Sequence, residues 1–106
     1  MPRQLPKSKS GWLAYPITIT EDAPFSRTDM QIFLEKKNIQ TRVVFTGNIL
    51  RQPGFKNIKA KIDKNGYPEA DKVMKNGILI ACHHGLTNKM ISHIHNSIDE
   101  FLSKYN

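Results

Sequence analysis

Arg42, Asn48 and Arg51 are the residues whose types and spacing best suit a chemical task, and all three fall in the stretch Thr41–Pro53, TRVVFTGNILRQP. A guanidinium binds phosphate or carboxylate as a planar fork, and a loop carried by a rigid scaffold is where such groups tend to act. Val43, Val44 and Phe45 are β-branched or aromatic, which predicts a buried strand over 41–46. Gly47-Asn48 should end that strand, because glycine reaches positive φ freely and asparagine tolerates it. Pro53 prevents a simple continuation of regular structure. The strand would thus deliver two guanidiniums and an amide to one tight loop, suited to an anion. The same residues also fit an ordinary strand and turn with two solvated arginines, and composition alone does not separate the two readings.

The remaining reactive side chains form no comparable group. His83 and His84 are neighbours expected on opposite sides of a strand, and His93 and His95 are two apart on a helix, an offset that does not bring side chains together. Without CxxC or HExxH spacing they predict no metal site. Cys82 ends an apolar run and reads as a small buried hydrophobe. Neither GxxxxGK[ST] nor GxGxxG occurs. Glu21, Asp22, Asp63 and Asp71 are acids that no spacing joins into an acid/base pair, so no catalytic residue is assigned.

The elements that must position the loop are legible from periodicity. Residues 12–20 alternate, with Leu13, Tyr15, Ile17 and Ile19 on one face, and Pro16 suggests an edge strand or a bulge. Ser26 with Asp29 fits a capping box opening a helix over 26–38, with Met30, Phe33 and Leu34 inward, Lys36 and Lys37 at its negative end and Asn38 closing it. Residues 54–67 read as a long lysine-rich loop. A short helix spans 69–76, with Val73 and Met74 inward and Gly77 as its terminator. Residues 78–82 are a continuous apolar strand covered on both faces or nearly so. Thr87 caps a final helix over 88–104, with apolar residues at 90, 91, 94, 98, 101, 102 and 105. The expected fold is an α/β (α+β) sandwich: a small three-stranded sheet with helices packed on it, in which Val43, Val44, Ile80 and Ile94 share a core.

With 106 residues the chain has room for one domain, residues 11–106, after a flexible lead-in over 1–10. MPRQLPKSKSG is basic with no apolar core behind it, so it is not expected to be a signal peptide. No apolar run reaches the length of a membrane span, and one cysteine excludes an internal disulfide, which fits a cytoplasmic protein. The net charge of +7 would suit an anionic partner, but the lysines are dispersed and lack interleaved aromatics, so no nucleic-acid partner is expected.

The segments GWLAYPITITED, FSRTDMQIFLEKKNIQTRVVFTGNILRQPGF and EADKVMKNGILIACHHGLT resemble the C-terminal part of the DegT/DnrJ/EryC1 group of pyridoxal-phosphate-dependent sugar enzymes. Within that group the chain is similar to the CDP-4-keto-6-deoxyglucose 3-dehydratases of lipopolysaccharide O-antigen synthesis. Its TRVVFTGNILRQP matches their TR-aliphatic-aliphatic-F-x-GN-x-x-RQP signature. The resemblance implies the small domain of a fold-type I enzyme, which closes over cofactor and nucleotide sugar, with Arg42, Asn48 and Arg51 facing the substrate. It also implies PLP or PMP as cofactor, a CDP-hexulose as substrate, a homodimer, and a histidine in place of the usual Schiff-base lysine.

That histidine or lysine, the acid paired with the pyridine nitrogen and the cofactor phosphate site belong to a large domain with no counterpart here. The chain is therefore expected to be a small domain alone, binding no cofactor and inactive by itself. One cysteine does not supply the four that an iron–sulfur cluster in some dehydratases needs, and His84 stands where relatives commonly have proline before Gly-Leu-Thr. Packing on a large domain implies exposed apolar side chains, expected at Trp12, Phe25, Ile49, Leu50 and Phe55. The alternatives are the corresponding domain of a nucleotide-sugar aminotransferase and a stand-alone anion- or nucleotide-binding module.

Overall fold

A computed structural model describes residues 3–106, so the first two residues of the expected lead-in lie outside it. The chain forms β1 (Ala14–Thr18), α1 (Arg27–Lys36), β2 (Thr41–Val43), α2 (Pro68–Asn76), β3 (Gly77–Ala81) and α3 (Asn88–Leu102). The three strands make one antiparallel sheet in the order β1-β3-β2. Helices and an open antiparallel sheet give an α+β fold, as expected from the alternation of periods. β3 is central because its apolar run tolerates a neighbour on each side, and β1 is an edge, where Pro16 opposite Leu79 is accommodated.

Ser26 opens α1 through the expected capping box. Its Oγ accepts from the Asp29 amide at 3.2 Å, while its own amide donates to Asp29 Oδ2 at 2.9 Å. Asn38, at φ 60°, turns the chain out of that helix. Met30 and Leu34 are buried with Ile78 and Ile80 of β3, and Phe101 of α3 completes the wall. Phe101 meets Phe25 edge-on with ring centroids 4.8 Å apart. His93 of α3 donates from Nε2 to the Lys37 carbonyl at 2.8 Å, and Lys37 pairs with Glu100 at 2.7 Å. These two contacts tie α3 across the carbonyl end of α1, so His93 has a structural task.

Several expectations are corrected by packing. The first strand begins at Ala14, leaving Trp12 and Leu13 exposed, since β3 offers partners only back to Ala14. The second strand stops at Val43 because Phe45 takes φ 42° and reverses the chain; Phe45 is exposed, not core. Val43 is also exposed, and neither it nor Val44 joins the core around Ile80 and Ile94, whose strand members are Ile78 and Ile80 of β3 with Tyr15 and Ile17 of β1 packed against them. Phe25 is half-buried against Phe101 and Tyr105, and Leu50 is half-buried, whereas Trp12, Ile49 and Phe55 are exposed as expected. Short 3₁₀ turns at Ile49–Arg51 and Pro53–Phe55 shape the start of the long loop. Gly77 does end α2, but with φ −82° it passes straight into β3. A Cβ there would lie 2.6 Å from the Val73 carbonyl and 2.7 Å from Val44 Cγ2, so glycine is needed for room. Among the described residues no helix is long and apolar enough to cross a membrane.

Candidate anion-binding site

The site is built where the β2 strand ends and the chain turns back against α2. Phe45 at φ 42° and Gly47 at φ 62° make the reversal. Gly47 presses directly on α2: a Cβ on it would fall 2.6 Å from Met74 Cα. Only a residue without a side chain, and tolerant of positive φ, fits there. Gln52 Nε2 then donates to the Thr46 carbonyl at 3.1 Å and closes the loop.

Asn48 is buried and uses both ends of its amide. Its Oδ1 accepts from the Leu50 amide at 3.1 Å, and its Nδ2 donates to Asp71 Oδ1 at 2.8 Å. Arg51 grips the same carboxylate as a fork, Nε to Oδ1 at 3.0 Å and Nη2 to Oδ2 at 2.8 Å. The structure therefore brings Asn48 and Arg51 together through Asp71. Arg42 stands apart: it lies on β2 opposite Leu79, is exposed, and makes no hydrogen bond to this group. Its charged neighbour is Glu35, whose carboxyl is lowered chiefly by bonds from the Thr41 amide and hydroxyl and only secondarily by Arg42.

The hydrogen bonds from Arg51 hold the Asp71 carboxyl below its ordinary value, those from Asn48 add to this, and partial burial opposes them. The same pairing raises Arg51. A carboxyl whose folded pKa is depressed contributes stability that is fully present above its unfolded value and is lost as pH falls through the folded one. Acid should therefore release the loop from α2 only below about pH 3.9, the ordinary value for aspartate. Hydrogen exchange of the Leu50 and Arg51 amides should be pH-independent in protection from neutrality to about pH 5 and lose protection below the aspartate value. Loss of protection between pH 5 and 7 would contradict the pairing.

Beneath the loop lies a hollow of about 180 Å³, lined by Arg27, Val44, Phe45, Gly47, Gln52 and Met74 among others. Arg27 Nη1 donates to the Met74 carbonyl at 2.6 Å, fastening α1 to the end of α2, while its Nε is buried without a partner. Asp71 and Arg27 were not singled out as site residues from the sequence. Asp71 is one of two acids in the first turn of a helix, where the dipole alone accounts for it, and nothing local points across to Arg51. The arrangement can hold an anion on Arg51; it contains no paired acid and base. Among the described residues no group of three or more His, Cys, Asp or Glu could hold a metal ion. The His83 and His84 rings stand 6.4 Å apart, and His83 Nδ1 accepts from the Gly85 amide at 3.1 Å.

The loop lies inside a segment shared with known sequences. The chain is 36% identical over 104 residues to the dTDP-4-dehydro-2,6-dideoxy-D-glucose 3-dehydratase of Saccharopolyspora spinosa, covering 98% of this chain and 22% of that protein. It is 31% identical over 101 residues to the lipopolysaccharide biosynthesis protein RfbH of Salmonella typhimurium, covering 95% of this chain and 23% of that protein. The chain thus spans under a quarter of the length of these relatives. The pattern of the DegT/DnrJ/EryC1/StrS aminotransferase family matches residues 1–99, and the chain belongs to that family.

Proposed function

We propose that this chain is the C-terminal small domain of a PLP- or PMP-dependent nucleotide-sugar 3-dehydratase acting in deoxysugar and O-antigen lipopolysaccharide synthesis. Its task is to close over the substrate and meet the diphosphate with Arg51, with Asn48 shaping the loop and Arg42 contributing charge from β2. On this reading the intact enzyme is a cytoplasmic homodimer, and the domain is inactive alone. The observation that carries the reading is that the dehydratase-like stretch TRVVFTGNILRQP folds into a braced loop with an exposed guanidinium, the Arg51 side chain retaining 64% of its accessible surface. The relative named for a dTDP-linked deoxysugar 3-dehydratase supports the same substrate class.

Two further observations support a domain that works against a larger partner. The radius of gyration is 16.3 Å, against about 13 Å for a self-contained chain near this length. Trp12, Ile49 and Phe55 stay exposed. The residues present do not fit the cofactor. Among the described residues no lysine or histidine is buried, and Asp71, the acid beside Arg51, is committed to the loop. No step is therefore assigned to the cofactor within this chain.

Isothermal titration calorimetry tests the reading. CDP-glucose and dTDP-glucose should bind weakly and saturably, Arg51→Ala should abolish the heat, and PLP should show no stoichiometric binding at micromolar concentration. Saturable one-to-one PLP binding would reject the assignment. Equal binding of free phosphate and both nucleotide sugars would instead favour a general anion module.

A further inference from the structure

Arg51 carries five N–H donors in one plane, and its two edges are used differently. The Nε–Nη2 edge is occupied by the two oxygens of Asp71, at 3.0 and 2.8 Å. The opposite edge, Nη1 with the second Nη2 hydrogen, has no partner among the described residues, and the side chain is 64% exposed. Because the guanidinium is planar, clamping one edge fixes the direction of the other. Asp71 is itself fixed, by the α2 backbone that carries it and by Asn48 Nδ2 at 2.8 Å. Asn48 is 6% exposed and holds the loop through Leu50. The order of constraint runs from a buried amide to a half-buried carboxylate to an exposed guanidinium.

We propose that Asp71 is a positioning residue for anion recognition: it clamps the Nε–Nη2 edge of Arg51 so that the Nη1 edge is presented, already ordered, to a diphosphate. The inference rests on the reading of Arg51 given above. An exposed ion pair contributes little to stability, so a fork braced by a third, buried group is more than folding requires. Functional side chains act best when their rotamers are locked by such supporting bonds. Charge makes the idea sharp. Asp71 is negative and would repel an anion, so any help it gives to binding must come through geometry.

The test is titration of the chain with CDP, with cytidine as the phosphate-free control, followed by NMR of the arginine Nε–Hε signals. CDP should move the Arg51 signal and cytidine should not. Asp71→Asn raises the net charge by one, yet CDP should bind roughly threefold to tenfold more weakly, the factor expected for re-ordering one long side chain on binding. In an Arg51→Lys background, where no fork exists, Asp71→Asn should have no such effect. Equal or tighter CDP binding by Asp71→Asn overturns the positioning role while leaving Arg51 as the anion site. An Arg51 signal that CDP does not move in the wild type overturns the underlying reading and this inference with it. If Asp71→Asn fails to fold, two measurements decide. Asp71→Glu keeps the charge but displaces the fork, and should also weaken CDP; binding equal to wild type overturns the proposal. The wild-type Arg51 Nε–Hε vector should relax as rigidly as the backbone, and a freely averaged vector overturns it equally.

Discussion

Gly47→Ala is expected to destabilise the chain by about 2–5 kcal/mol and to detach the loop from α2. Two costs combine at this position. A residue with a Cβ at φ 62° meets its own following carbonyl, for about 1–2 kcal/mol. The new atom would also lie 2.6 Å from Met74 Cα and 2.7 Å from Met74 Cγ. The first of these is backbone, so relief requires α2 to move, and overpacking of that kind costs about 1–3 kcal/mol. Two other glycines separate the contributions. Gly66 has φ 69° with nothing within 4 Å of a Cβ, so Gly66→Ala should show the conformational cost alone, about 1–2 kcal/mol. Gly54 has neither strain nor a neighbour, and Gly54→Ala should be within about 0.5 kcal/mol of wild type. Urea unfolding gives the three values. The Arg51 Nε–Hε signal should be lost from its ordered position in Gly47→Ala only. A Gly47→Ala effect no larger than that of Gly66→Ala would mean that the loop does not press on α2.

Ile78→Ala should cost about 2–5 kcal/mol, while Val43→Ala should cost below about 1 kcal/mol. The contrast is informative because the two residues are register partners on one face of the sheet. Ile78 is 0% exposed on the central strand β3, in one core cluster with Met30, Leu34 and Phe101. Truncating it leaves a cavity that neighbours fixed on three elements cannot close. Val43 is 47% exposed on the β2 edge, so its methyls lose little that water does not replace. A domain of this size has a total stability of only about 5–15 kcal/mol, so Ile78→Ala should populate unfolded chain visibly at physiological temperature. Equal effects at the two positions would show that β2 is covered in solution, as it would be by self-association.

Helix and strand identity was legible in the sequence because it depends on short-range physics. The Ser26–Asp29 capping box, the left-handed Asn38 and the Thr87 cap each act within a few residues, and each occupies its expected place. The apolar period of α3 marked the helix but only part of its inward face: Ile94, Ile98 and Phe101 meet the core, whereas Met90, Ile91 and Leu102, expected inward, are exposed. The loop was legible as an anion-binding candidate for the same reason: Gly47-Asn48 and Arg51 are close in sequence. The family resemblance lay in that stretch too, and the family match covers it.

What only the tertiary structure decided was which of these residues meet. Val43, Val44 and Phe45 have the composition of a buried strand, yet the chain reverses at Phe45 because Gly47 must reach Met74, far away in sequence. Arg42 and Arg51 have equal claims in the sequence, but strand alternation and the turn send them to different surroundings, Glu35 for one and Asp71 for the other. Phe25 looked free to be exposed until α3 brought Phe101 and Tyr105 against it. Asp71 carried no local signal, since an acid in the first turn of a helix is satisfied by the dipole whether or not it has a distant partner. Local periodicity records which face of an element is apolar; it holds no information about which distant side chain will arrive on the other.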